Sequence, residues 1–127
     1  MIKELTISVI IIITIIVLDL YTQNYTETTI SETTQRLNEL QQEISKNNFE
    51  QIEEKLNIIE GKWKKAHNNL AYYIEHDELE KVDTALVTMK SFINSEDYAS
   101  ASSELQKSIF VLEHIQKKNS FSLENIF

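Results

Sequence analysis

The chain opens on an unbroken apolar run. Residues 5–18 read LTISVIIIITIIVL, with no charge and only Thr6, Ser8 and Thr14 as polar interruptions. A helix that crosses a bilayer needs about 20 residues at ~1.5 Å rise each, and extending the run to Ile2 and Tyr21 reaches that length. Lys3 and Glu4 flank one end; Asp19, Tyr21 and Tyr25 flank the other, where tyrosine rings suit the headgroup boundary. The pattern predicts a transmembrane anchor over residues 1–21. Two other readings fit less well. A cleaved signal peptide wants small residues of the A-x-A kind before the cut, and V-L-D-L-Y-T-Q has none. A core helix of so small a domain would not be apolar nearly all round.

The flanking charges set a direction. Lys3 and the terminal amine precede the run, and no Lys or Arg follows it until Arg36. The positive-inside bias keeps the N-terminus cytoplasmic and places the rest outside, as a single-pass protein of the cell membrane.

Beyond the run the pattern changes period. Residues 22–29, TQNYTETT, are polar and aperiodic and read as a short stalk. Thr29 with Glu32 resembles a capping box that opens a helix carrying Leu37, Leu40 and Ile44. Asn47 and Asn48 make a turn. The next helix has the clearest stripe: Phe49, Ile52, Leu56, Ile59, Trp63, Ala66, Leu70 and Tyr73 recur in steps of three and four. That spacing is the seam of a helix packed lengthwise on others, in the manner of a coiled coil. Gly61 lies inside it, which a close helix crossing would explain. Asp77 with Glu80 opens a third helix with Leu79, Val82, Leu86, Met89 and Ile93. Asn94 with Asp97 marks a fourth with Tyr98, Ala101, Leu105, Ile109, Leu112 and Ile115, closed by Lys117, Lys118 and Asn119. Connections this short force antiparallel neighbours. The predicted fold is all-α: an N-terminal transmembrane helix, then over residues 30–127 an up-down antiparallel bundle of three long helices plus a shorter first one. The apolar tail SFSLENIF is expected to dock on it through Phe121, Leu123, Ile126 and Phe127.

Composition narrows the chemistry. In 127 residues there is one Gly and no Pro, so the punctuation of sheets and their turns is missing. Zero Cys excludes disulfides and thiolate metal sites. Twelve basic against 20 acidic residues give a net charge of −8, which makes nucleic acid an unsuitable partner. There is no Gly-rich phosphate loop, no G-x-S-x-G and no H-E-x-x-H. Lys64, Tyr73 and Val111 stand three residues before His67, His76 and His114, where a di-iron bundle would carry Glu. A non-enzymatic role is expected.

Two sets of residues remain. Glu75, His76 and Glu78 precede or begin the third helix, and His114 lies near the end of the fourth, so an antiparallel bundle places all four at one pole. Such a cluster fits structural capping, a divalent metal or pH sensing; no other cofactor is implied. The apolar residues Ile58, Ile74, Val87, Phe110 and Val111 fall off the main stripes and are expected to form an exposed interaction patch. Trp63 reads as a core anchor whose indole N–H finds a partner.

Trp63, Glu75-His76-Asp77-Glu78-Leu79, His114-Ile115 and Leu123-Glu124-Asn125-Ile126-Phe127, behind a leading anchor, resemble the domain of unknown function 4363 family of small membrane proteins from Gram-positive bacteria. The resemblance implies a helical exported domain in an accessory role, without an established activity, substrate or cofactor. The expected function is that of a membrane-anchored interaction module. Its partners would be the lipid bilayer, a membrane or envelope protein and, in one version, a second copy of itself. The alternative is a metal- or pH-sensing domain built on the His/Glu pole.

Overall fold

The computed structural model describes residues 1–126, and side chains through Ser120. Four helices follow one another: α1 Ile2–Ser45, α2 Phe49–Leu70, α3 His76–Asn94 and α4 Tyr98–Ile126. Connections of three to five residues turn the chain back each time, so successive helices are antiparallel. Helix α1 packs against α2 and α4, and α3 packs mainly against α4; of the neighbouring pairs, α2 and α3 touch least. The result is an up-down bundle with one loose seam.

The polar stretch at residues 22–29 is not a separate stalk. It is part of the 44-residue helix α1, and no helix begins at Thr29. Thr26, Ile30, Thr33, Leu37, Leu40 and Ile44 form one buried stripe along it. Threonine fits there because its hydroxyl is satisfied within the helix: Thr26 Oγ1 donates to the Thr22 carbonyl at 2.7 Å and Thr33 Oγ1 to the Thr29 carbonyl at 2.8 Å. The first helix is consequently the longest, not the shortest. Helix α4 likewise runs on past Asn119 to Ile126. The docking of Phe121, Leu123, Ile126 and Phe127 lies outside the described residues.

The core is the sum of four stripes. Ile52, Leu56, Ile59, Trp63, Ala66 and Leu70 are buried from α2; Leu79, Val82, Leu86, Met89 and Ile93 from α3; Ala101, Leu105, Ile109, Leu112 and Ile115 from α4. Phe49 and Tyr73, at the two ends of the α2 stripe, are exposed. Asn47 makes its turn with φ 54°, a left-handed conformation that Asn tolerates better than most residues. At the start of α4, Asp97 Oδ1 accepts the backbone N–H of Ser100 at 3.2 Å, and the Ser100 hydroxyl together with that N–H holds the carboxyl below its usual pKa range.

Gly61 does not mark a close crossing. It is exposed, and a Cβ built on it meets nothing within 4 Å. Its cost to the helix is therefore uncompensated. Gly61→Ala should stabilise the chain by about 1 kcal/mol, read as a higher denaturant midpoint at unchanged slope; a lower midpoint would show that the site does need glycine.

Candidate functional site

Two regions of the bundle concentrate polar chemistry. The first is the pole where α1 leaves the apolar run and enters the bundle. Tyr73, beyond the end of α2, places its hydroxyl 2.7 Å from Thr26 Oγ1 and 3.2 Å from the Thr22 carbonyl. The two hydroxyls and the Thr22 carbonyl form one small network in which either hydroxyl can donate to the other. Burial holds the Tyr73 phenol above its ordinary pKa, which keeps its proton in place. Asn69 Nδ2 donates to Tyr25 Oη at 2.8 Å. These bonds tie α1 to the end of α2 just where the hydrophobic pattern changes.

On another side of the same pole, Lys118 pairs with Glu75 at 3.4 Å, and Lys81 with Glu78 at 3.4 Å. A small hollow of about 110 Å³ opens there beside Ile74, Ile115 and Asn119. Glu78 is buried, and its Oε2 has no hydrogen-bond partner among the described residues.

The second region is the seam between α2 and α3. Trp63 is 3% exposed, and its Nε1 donates to Asp83 Oδ1 at 2.6 Å. Nδ1 of His67 lies 3.0 Å from both Asp83 oxygens. The His67 ring meets Trp63 edge-on at 6.3 Å and His76 at 6.2 Å between centroids. His76 Nε2 lies 3.0 Å from Glu80 Oε1, and farther along Lys90 pairs with Glu60 at 3.1 Å. Polar pairs thus span the seam where apolar packing is thinnest.

The four-residue pole expected from the sequence does not assemble. Glu75 and Glu78 do share the hollow. His76 instead turns to Glu80 and His67, while His114 is exposed on α4 and forms no ion pair among the described residues. The antiparallel connections put Glu75, His76 and Glu78 at the same pole as the end of α4, but the pattern leaves open which face each histidine occupies. Among the described residues no three His, Asp or Glu side chains converge to hold a metal ion. His67 and Asp83 were the residues missed. Their signal was spacing: Trp63 and His67 are i, i+4 on α2, while His76, Glu80 and Asp83 are i, i+4, i+7 on α3, two faces that an antiparallel hairpin brings together.

The off-stripe apolar residues do not make one patch. Val111 is buried and Ile74 is half-buried against the core. Ile58 borders a groove between α1 and α2, Val87 one between α2 and α3, and Phe110, 71% exposed, stands out from α4. A four-helix core draws in residues at the edge of a stripe, so Val111, beside Leu112, goes in where Phe110 does not.

The family model described as domain of unknown function (DUF4363) matches residues 20–126. The chain belongs to that family. The matched stretch takes in all of α2, α3 and α4 and the part of α1 that packs on them, leaving the apolar run ahead of it. No curated protein and no solved structure matches this member of the family.

Proposed function

We propose that the protein is a membrane-anchored helical module that holds its bundle outside the cytoplasmic membrane and presents it to another membrane or envelope protein. One observation carries the anchoring. The N-terminal part of α1 is long and apolar enough to cross a membrane, and none of that window is buried inside the protein. Eleven large apolar side chains between Leu5 and Leu20 stand 47–67% exposed. Covering them with hydrocarbon is worth on the order of 20 kcal/mol, more than the ~5–15 kcal/mol of net stability a small bundle has to offset their exposure. The polar interruptions suit lipid as well. Thr6, Ser8 and Thr14 return their hydroxyls to the carbonyls of Ile2, Glu4 and Ile10 at 2.8–2.9 Å, so none needs water.

The interaction role is supported by Phe110. A ring this exposed on the outer face of α4 contributes nothing to the core, and a partner that covered it would gain an aromatic anchor. A benzophenone side chain in place of Phe110, in the full chain in intact cells, should photo-crosslink to one membrane or envelope protein. The same group at the exposed position of Asn57 should give no such adduct. Equal labelling from both positions, or none from Phe110, would remove the interaction role and leave the anchor.

A further inference from the structure

A groove between α1 and α2 collects cations that this acidic protein leaves unpaired. It runs from Tyr25 and Asn69 at the pole to Arg36, with Lys62 and Lys65 on its α2 wall. Lys3, Lys46, Lys64, Lys107 and Lys117 also stand unpaired among the described residues, so what sets the groove apart is that three cations line it together. Lys55, Lys81, Lys90 and Lys118 each have a glutamate within 4.0 Å. Among the described residues none of Arg36, Lys62 and Lys65 has a carboxylate that close, although the chain carries 20 Asp and Glu. Glu32 is the one carboxylate lining the groove. Three cations therefore face one anion on a molecule of net charge −8.

Neutral donors stand beside the charges. Tyr25 Oη accepts from Asn69, so its own hydrogen is free to point elsewhere. Thr33 is committed to the Thr29 carbonyl, whereas Thr28 and Thr29 line the groove with hydroxyls that donate to no protein acceptor among the described residues. A guanidinium, two ammonium groups and hydroxyls placed along two walls make a donor set suited to a tetrahedral oxyanion, which takes hydrogen bonds from several directions. Lys62 and Lys65 stand about 4.5 Å apart along the helix axis, so the charges serve a short ligand. A long polyanion would meet the acidic surface on either side.

We propose that this groove binds a compact phosphate-bearing anion of one to three phosphate groups. Its source is soluble, an assignment that rests on the anchor reading above. The groove's near end at Tyr25 lies about 6 Å past Tyr21, but Arg36, at its far end, lies fifteen residues past Tyr21 on a continuous helix, about 22 Å beyond the end of the apolar run, so a ligand that engages Arg36 stands beyond the headgroup layer.

The test is calorimetric titration of the full chain in nonionic micelles with sodium tripolyphosphate and with inorganic phosphate. Tripolyphosphate should bind, more weakly as salt is raised. Combining Arg36→Gln, Lys62→Gln and Lys65→Gln should weaken it by at least about tenfold with helicity unchanged. Glu32→Gln should tighten it several-fold, an effect that a purely structural Glu32 would not produce. No binding heat from either phosphate, or an affinity that the triple variant keeps, overturns the site. If micelles doped with phosphatidylglycerol abolish tripolyphosphate binding, the headgroup is the ligand and the soluble source is wrong. Because the micelle experiment does not depend on topology, failure of the anchor's orientation would leave its result intact.

Discussion

Trp63→Ala should destabilise the bundle by about 3–5 kcal/mol, the usual cost of emptying a large aromatic site. That is a large share of the ~5–15 kcal/mol that holds a small domain together. Two losses combine. The ring is 3% exposed, so its removal leaves a cavity. Its N–H is also one of the two donors on Asp83, the other being His67. The position makes matters worse, because α2 and α3 are the most loosely packed of the neighbouring helices and Trp63 reaches across between them to Asp83. Trp63→Phe separates the terms. It keeps most of the ring and removes only the hydrogen bond, at about 1–3 kcal/mol. Guanidinium unfolding of the full chain in micelles, followed by circular dichroism, measures both. A Trp63→Ala midpoint no lower than that of Trp63→Phe would mean that the indole is not a core element.

Much of this architecture was legible because the hydrophobic period is regular. The α3 stripe from Leu79 to Ile93 and the α4 stripe from Ala101 to Ile115 are buried residue for residue. What escaped was carried by polar residues in apolar roles. Thr26 and Thr33 fill core positions on α1 by bonding their own helix, so residues 22–29 look like a stalk to any reading that counts threonine as polar. Without that recognition the long helix breaks in two. The capping boxes misled for a related reason: Glu32 and Asp77 lie within helices, and neither α2 nor α3 has a side-chain cap bond at its N-terminus. Asp97 does cap α4, where the chain has to restart after Glu96 at φ 60°.

The candidate site was legible in level but not in face. Antiparallel connections put Glu75 opposite Lys118, and the structure has that pair. Facing is decided by small rotations that packing sets. His114 follows Glu113 on the outer side of a helix whose Leu112 and Ile115 turn inward, so it cannot meet His76. His76 finds Glu80 one turn along its own helix. The same reasoning explains the scattered apolar residues, since Ile58, Val87 and Phe110 come from different helices with no common face.

The anchor carries the largest effect of all, because its outcome is close to all-or-none. In the proposed reading the helix segment with eleven exposed large side chains sits in hydrocarbon, and the bonds of Tyr73 to Thr22 and Thr26 tie the bundle to the same continuous helix. On that reading the charge asymmetry around the run predicts a bundle outside the cytoplasmic membrane. The chain has no cysteine, so one introduced thiol reports one place. Ser103→Cys lies exposed on α4, and Lys3→Cys lies before the run. On intact cells making the full chain, a membrane-impermeant maleimide should label Ser103→Cys fully and Lys3→Cys only after permeabilisation. Labelling of Lys3→Cys on intact cells while Ser103→Cys stays protected, or protection of both until lysis, would contradict it.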